Sequence, residues 1–195
     1  MSIDSRIKIT IVCLCLASFN AFAQTAPNWI WANSFGELDN ERSNTITTDD
    51  WGNSIIAGKF DSQTLDFGNI VLNNNGGDDF FIAKFDQVGT VLWANSFGGD
   101  YDEEPFTITT DTSGNIIVVG YFSSDSIVCD SITLINSGFS YEAFIIKYDP
   151  SGNVIWAKKT NGTSNEVALG VTTDNLNNVI VTGWFDDAVL NFDTY

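Results

Sequence analysis

Three copies of one sequence pattern, spaced 62 and then 63 residues apart, constrain the fold of this chain more than any other feature. Several residue types keep their phase in all three copies, and a fixed period of this length is typical of a repeat architecture in which each copy forms one structural unit. The segments that recur are Trp31-Ala32, Trp93-Ala94 and Trp156-Ala157; Thr47-Thr48-Asp49, Thr109-Thr110-Asp111 and Thr172-Thr173-Asp174; and Gly58-Lys59-Phe60, Gly120-Tyr121-Phe122 and Gly183-Trp184-Phe185. The fold must therefore be a series of similar units.

A β-hairpin is predicted at 149–156 and again at 86–93. In both segments an apolar run reaches an Asp, passes through a loop that contains Gly, and returns as a second apolar run that ends in Trp. The Asp side chain can accept hydrogen bonds from the backbone amides ahead of it, and Gly gives the backbone the freedom that the reversal needs. Each repeat therefore contains at least one antiparallel pair of strands.

One full repeat contains four predicted strands, which we name A (106–111), B (115–122), C (143–149) and D (153–157). Short turns join A to B and C to D, so these neighbours must be antiparallel. Strands B and C are apolar on both faces, which indicates that both faces of the sheet are covered. Four-stranded antiparallel sheets that stack face to face are the blades of a β-propeller. The predicted fold is all-β, with about two and a half to three blades and strand A innermost.

The repeats also resemble a known family, the bacterial secreted β-propeller repeat. The resemblance lies in Phe80-Phe81-Ile82-Ala83-Lys84-Phe85-Asp86, in Gly89 and Val91-Leu92-Trp93, in the segment 110–120, and in Asp66-Phe67-Gly68. It implies a secreted or cell-surface propeller, frequently joined to a C-terminal sorting or adhesive module. Its motifs specify architecture and no catalytic group.

Residues 1–23 are predicted to be a secretory signal peptide. Arg6 and Lys8 precede an apolar core at 9–19, and Ala21-Phe22-Ala23 is a small-residue cleavage site. The core is too short to cross a bilayer, which takes about 20 apolar residues. We therefore expect an exported protein, extracellular or on the cell surface, with no membrane insertion after cleavage.

The remaining chain divides into four predicted parts: an outer strand and loop at 24–42, repeat 1 at 43–105, repeat 2 at 106–168, and a truncated repeat 3 at 169–195. Propellers close with about four to eight blades. We therefore expect a fragment of a longer protein. The alternative is an open arc that completes its ring by self-association.

Composition excludes several classes of function. The formal net charge is −17, which repels phosphate backbones and anionic lipid and argues against nucleic-acid binding. The chain has no His, so the usual catalytic triads and the commonest metal ligand are missing. Beyond the signal peptide the only cysteine is Cys129, at a position where other copies have Phe, which predicts a buried thiol and no intramolecular disulfide.

Any functional site is expected on the face that carries the D–A and B–C connections, which we call the long-loop face. Glu41, Glu103 and Glu166 keep the repeat period there, and Asp100 and Asp102 add an acidic loop. One interpretation is a ring of carboxylates that binds a ligand or a cation. The other is a set of structural carboxylates, which repeats copy in every unit. We assign no catalytic residue, metal ligand or cofactor. Calcium at the acidic loop is the one cofactor hypothesis, although this loop lacks the Gly that an EF-hand loop has at its sixth position.

The sequence therefore predicts a non-enzymatic binding scaffold for a glycan or protein ligand. The alternative is a secreted carbohydrate-active hydrolase or lyase that uses acids of the long-loop face, which would need two carboxyl groups at a set separation. The Asp-x-x-Gly-x-x-x-Trp pattern also resembles the tryptophan motif of quinoprotein propellers, but a single mature cysteine cannot form the vicinal pair that those enzymes commonly carry. We interpret that pattern as blade packing, with Trp93 and Trp156 wedged between neighbouring blades.

Overall fold

The computed structural model describes residues 28, 30–36, 39–136, 138, 140–187 and 189, and within them the protein is all-β. The predicted signal peptide lies outside the described residues. No helix in the described part is long and apolar enough to cross a membrane. The strands are β1 (Glu41–Thr48), β2 (Ser54–Phe60), β3 (Thr64–Asp66), β4 (Val71–Asn73), β5 (Asp79–Phe85), β6 (Val91–Phe97), β7 (Glu103–Thr110), β8 (Ile116–Phe122), β9 (Ser126–Cys129), β10 (Ile132–Ile135), β11 (Glu142–Tyr148), β12 (Val154–Lys159), β13 (Glu166–Thr173) and β14 (Val179–Phe185).

Two four-stranded antiparallel sheets follow the predicted order of strands A to D. Blade 1 has the order β1-β2-β5-β6, and blade 2 has the order β7-β8-β11-β12. Strands β13 and β14 pair as the A and B strands of blade 3. The predicted propeller-blade architecture is therefore confirmed.

The A strands of the three blades lie side by side, as expected for the innermost strands. Thr110 Oγ1 donates to the carbonyl of Thr48 in blade 1 at 3.4 Å, and Thr107 Oγ1 donates to the carbonyl of Leu169 in blade 3 at 2.6 Å. Each A strand carries a bulge at the same position, after Ser43, Pro105 and Ala168. Strand A of blade 2 starts at Glu103, three residues before its predicted start, because pairing resumes on the far side of this bulge.

The B–C connections contain short hairpins that the sequence did not reveal. Strand β3 pairs with β4 in blade 1, and β9 pairs with β10 in blade 2. Their strands are only three or four residues long, which is too short for an alternating pattern to stand out. Phe67, directly after β3, and Cys129, at the end of β9, are equivalent in the repeat and both buried. Burial raises the pKa of the Cys129 thiol to about 12.

Trp93 joins blade 1 to blade 2, as predicted. Its ring packs over the C–D turn of blade 2, where a Cβ on Gly152 would lie only 2.7 Å from the indole. Trp93 Nε1 also donates to the carbonyl of Pro150 at 3.2 Å, and Asn95 Nδ2 donates to the carbonyl of Gly152 at 2.8 Å. One repeat earlier, Trp31 and Asn33 make the same contacts with Gly89, although residues 30–36 form no strand in the structure.

Candidate functional site

The loops of the long-loop face are held together by a set of hydrogen bonds that repeats from blade to blade. The backbone N–H of Asp78 donates to Asp102 Oδ1 at 3.1 Å, and the N–H of Glu103 donates to the carbonyl of Asp78 at 2.7 Å. One repeat later, Tyr141 makes the same pair of contacts with Asn165 and Glu166, at 3.1 and 2.7 Å. One carboxylate oxygen of Asp102 therefore accepts a structural hydrogen bond, and Asn165 accepts the equivalent bond in the next repeat.

Glu103 is buried rather than presented to solvent. Its residue is 0% exposed, and its carboxyl oxygens accept hydrogen bonds from the N–H groups of Gly99 (3.0 Å) and Ser124 (3.2 Å). Burial raises the pKa of Glu103 to about 7, in spite of these hydrogen bonds. A hydrolase that used Glu103 as a catalytic acid would have to open this junction first.

Glu41 and Glu166 occupy the same register as Glu103, at the first position of an A strand. Each of the three glutamates contacts the D–A loop that precedes it: Glu41 lies against Gly36, Glu103 accepts the N–H of Gly99, and Glu166 lies against Gly162. The pKa of Glu166 is raised to about 7, mainly by burial and to a smaller extent by the negative charges of Glu142 and Asp187. The structure therefore does not bring the periodic glutamates together as one group of ligands.

Asp100 is exposed in the D–A loop, and the three acids that follow it are engaged elsewhere. Asp102 accepts the N–H of Asp78. Glu103 turns into the junction, and Glu104 pairs with basic side chains of blade 1. Within the described residues, no group of three or more acidic, His or Cys side chains is arranged to hold a metal ion.

A polar cluster at the inner edge of the long-loop face links blade 1 to blade 2. Glu104 Oε1 lies 2.7 Å from Arg42 Nη2, and Glu104 Oε2 lies 3.1 Å from Lys59 Nζ. Lys59 also contacts Asp78 Oδ2 at 2.5 Å. Burial favours the neutral form of Lys59, but hydrogen bonds to Asp78 and Glu104 outweigh it and raise its pKa, so the ammonium stays charged.

Aromatic side chains extend this cluster along the rim. The rings of Tyr121 and Tyr141 are 4.5 Å apart between centroids, and the Phe106 ring lies 6.0 Å from Tyr121. Burial, and then the charge of Glu104, raises the pKa of Tyr121 to about 12, which keeps its hydroxyl protonated. Tyr141 is 42% exposed and Tyr101, in the adjacent D–A loop, is 54% exposed. We call the set Arg42, Lys59, Asp78, Asp102, Glu104, Tyr121 and Tyr141 the junction rim.

The junction rim is recognisable in the sequence by residues that differ between the repeats, not by residues that recur in them. At positions where the backbone pairing is the same in every blade, the side chains differ. The paired residues are Arg42 with Lys59 in blade 1, Glu104 with Tyr121 in blade 2, and Val167 with Trp184 in blade 3. A search for residues that change inside otherwise constant motifs would have found this edge, whereas the search for constant acids found structural groups.

Comparison with known proteins gives one informative similarity. No family model matches the chain. An uncharacterized WD repeat-containing protein of Acanthamoeba polyphaga mimivirus is 33% identical over 163 residues, which cover 76% of this chain and 12% of that protein. The chain thus spans about one eighth of the length of that relative. The similarity agrees with the repeat β-propeller architecture.

Proposed function

We propose that this chain is a non-enzymatic binding scaffold whose junction rim docks a protein partner. The observation that carries the proposal is the contrast at the rim: the three blades share their backbone pairing there and differ in side-chain chemistry. Structural residues are copied from repeat to repeat, so positions that vary on a rigid edge are the ones free to specify a ligand.

The chemistry of the rim favours a protein with exposed basic side chains. Tyr141 of the rim and Tyr101 of the adjacent D–A loop supply half-exposed aromatic surface with a polar tip, the kind of group that anchors protein interfaces. Asp102 of the rim and Asp100 of the same loop supply exposed negative charge beside them. The net charge of −17 would steer a basic partner toward the surface and repel an acidic one.

Peptide display tests this proposal directly. Peptides selected on the purified protein should be enriched in Lys, Arg and aromatic residues, and their dissociation constants can be measured by calorimetry. Tyr141→Ala should weaken the selected peptides about tenfold, the effect of losing one anchor residue. Val88→Ala removes an exposed side chain from the opposite face and serves as the control.

Two outcomes would overturn the proposal. Peptides whose affinity is the same for Tyr141→Ala and the wild type would move the site away from the rim. A glycan array in which oligosaccharides bind, and lose binding on Tyr141→Ala, would replace the protein partner with a carbohydrate.

We further propose that the protein is exported, as a relative of the secreted propeller repeats that its motifs resemble. The support is the basic start, apolar core and small-residue site within residues 1–23. Expression of the full chain in a bacterial host should yield protein outside the cytoplasm with an N-terminus at Gln24. Arg6→Glu with Lys8→Glu is the matched control, because it reverses the charge of the signal start and should keep the protein inside. Intact chain retained in the cytoplasm would contradict export.

A further inference from the structure

Two pairs of buried carboxyl groups lie where one blade meets the next. Asp79 begins the C strand of blade 1, and Glu103 begins the A strand of blade 2. Glu142 and Glu166 repeat this arrangement 63 residues later, between blade 2 and blade 3. All four residues are between 0% and 1% exposed. Buried like-charged groups are costly unless something neutralises them.

Backbone hydrogen bonds hold the members of each pair close together. The N–H of Glu103 donates to the carbonyl of Asp78, the residue just before Asp79, and the N–H of Glu166 donates to the carbonyl of Tyr141, the residue just before Glu142. Both bonds measure 2.7 Å. The pairing of carboxyl groups is therefore built into the junction itself.

At the second junction, Glu142 and Glu166 share one hydroxyl as a hydrogen-bond donor, which is too few donors if both glutamates are ionised. Thr160 Oγ1 lies 3.1 Å from Glu142 Oε2 and 3.4 Å from Glu166 Oε2, and it accepts the N–H of Ala143 at 3.0 Å. A hydroxyl has one hydrogen and can donate to only one of the two carboxyl groups. A proton on Glu166 supplies the missing hydrogen, because Glu166 Oε2 then donates to Thr160 and Thr160 donates to Glu142 Oε2. The Oε1 atoms of both glutamates are buried without a hydrogen bond within the described structure, which adds to the cost of ionising both acids.

At the first junction one carboxyl oxygen has no partner. Asp79 Oδ2 accepts the backbone N–H and the side-chain amide of Asn75, at 3.0 and 2.9 Å, while Asp79 Oδ1 is buried without a hydrogen bond within the described structure. The oxygens of Glu103 accept the amides of Gly99 and Ser124. The pKa of Glu103 is raised further than that of Asp79, but both oxygens of Glu103 already accept N–H groups, so Asp79 Oδ1 is the free oxygen on which a proton removes the repulsion between the two acids.

We propose that each blade junction is closed by a carboxyl pair that holds a proton, so that neighbouring blades are coupled most tightly at mildly acidic pH and loosen as the pair ionises. The same device then acts twice in the chain, once per junction. It makes the long-loop edge of the propeller sensitive to pH although the chain contains no His.

The charged surroundings agree with this proposal. Burial raises the pKa of Asp79 to about 6 and that of Glu103 to about 7, and the charge of Asp79 contributes to the latter shift. The other charged groups nearby are Asp78, Lys59, Asp102 and Glu104, of which Lys59 is paired with Asp78 and Glu104.

The second pair has two further charged neighbours. Lys159 Nζ lies 3.5 Å from Glu142 Oε2, and its charge only partly offsets the burial that raises the pKa of Glu142. Asp187, after β14, adds negative charge near Glu166 and raises its pKa further. Glu142 therefore remains the ionised member beside Lys159, and Glu166 is the member that holds the proton.

A bound cation fits these junctions less well than a proton. Calcium takes about six to eight oxygen ligands. At the first junction both oxygens of Glu103 and one oxygen of Asp79 already accept N–H groups, so a single carboxyl oxygen is left. At the second, the ammonium of Lys159 lies beside Glu142 and would repel a cation.

The test is the pH dependence of the melting temperature of the purified protein and of three variants. Asp79→Asn and Glu166→Gln each replace the protonated acid by an amide, whose N–H takes the place of the proton. Asp100→Asn removes the same charge from an exposed position of the long-loop face and is the control. We expect the wild type and Asp100→Asn to lose melting temperature between about pH 5 and about pH 8.5, and each amide variant to lose roughly 5 °C less over that range.

Equal slopes for all four proteins would overturn the proposal. So would a rise in the melting temperature of the wild type with calcium at about pH 8 that Asp79→Asn abolishes, since the pair would then hold a metal ion. If an amide variant does not fold, carbon-13 NMR of the wild-type carboxyl groups decides. Two or more carboxyl signals that titrate near pH 6 to 7 support the proton, and titration of every carboxyl group below about pH 5 excludes it.

Discussion

Lys84 and Asp49 form a buried ion pair inside blade 1, with Nζ 2.9 Å from Oδ2 and side chains that are 4% and 0% exposed. Lys147 and Asp111 repeat the pair in blade 2 at 2.7 Å. Because strand B lies between strands A and C, each pair ties the end of the innermost strand to the third strand of the same blade. The Asp also accepts backbone amides of the A–B turn, so one carboxylate organises both the turn and the ion pair.

Lys84→Met should destabilise the protein strongly, by about 3–5 kcal/mol, because it leaves the buried carboxylate of Asp49 without its cation. The free energy of unfolding from urea titration measures the effect. Lys84→Met combined with Asp49→Asn is the control, and it should recover part of the loss because no buried charge remains. A cost below about 1 kcal/mol for Lys84→Met would show that the pair contributes no more than an exposed one.

Gly152→Ala should destabilise the protein more than Gly68→Ala does. Both glycines have positive φ, +91° and +96°, so Ala at either position adopts an unfavourable backbone conformation, which costs about 1–2 kcal/mol. A Cβ at Gly152 would also meet the Trp93 ring at 2.7 Å, whereas a Cβ at Gly68 would meet nothing within 4 Å. The difference between the two variants in urea unfolding isolates the packing of blade 1 on blade 2. Equal losses in the free energy of unfolding for the two variants would mean that the Trp93 ring moves aside for the added Cβ without destabilising the protein.

The period and the turn chemistry predict most of the fold. The Asp at the end of a strand, followed by Gly and then by Asn, predicts the turn, and Asp149 does accept the N–H groups of Ser151 and Asn153 at 2.8 and 3.0 Å. These interactions are local, so they can be inferred from neighbouring residues alone. The strand order follows from turn length for the same reason.

The candidate site was harder to predict because it depends on which blades meet. Glu103 and Asp79 are 24 positions apart in the sequence, and the buried environment of Glu103 is formed jointly by Asp78 of blade 1, the D–A loop at Gly99 and Ser124 of blade 2. The period of Glu103 was visible, but its environment was not. Lys59 and Glu104 likewise become neighbours only after blade 2 packs on blade 1. Contacts between blades also repeat at a fixed spacing, as Asp79 with Glu103 and Glu142 with Glu166 show, but their partners are far apart in the chain, so the period alone does not show which residues touch.

Cys129 should react slowly with thiol reagents in the native protein. It is 0% exposed, and burial raises its pKa to about 12, so very little thiolate forms at neutral pH. Labelling with iodoacetamide, followed by mass spectrometry, should show no modification of Cys129 under native conditions and full modification in guanidinium chloride. Fast native labelling would contradict the placement of Cys129 in the core between the hairpin and the sheet.

The melting temperature should be highest at mildly acidic pH, near pH 4 to 5, and should fall on both sides. On the acid side the reason is Asp49 and Asp111. Burial raises their pKa, but the hydrogen bonds from Lys84 and Lys147, and from nearby amides, outweigh it, so the pKa of each is lowered below 3.8. A lowered carboxyl pKa gives stability that is present above the unfolded value and is lost as pH falls through the folded value.

On the alkaline side the reason is the carboxyl groups with raised pKa values. Burial raises the pKa of Glu103 from 4.5 to about 7 in the folded protein. The folded state therefore binds this proton more tightly than the unfolded state does. The resulting stability is fully present below about pH 4.5 and is lost as pH rises through about 7. Scanning calorimetry from about pH 2 to 9 measures both limbs.

Added salt at about 0.5 M separates the causes, because it screens repulsion among the exposed acids and leaves a buried pair almost unaffected. An alkaline limb that disappears in salt would assign that loss to surface charge, and a flat profile from pH 5 to 9 would show that the buried acids are ionised throughout.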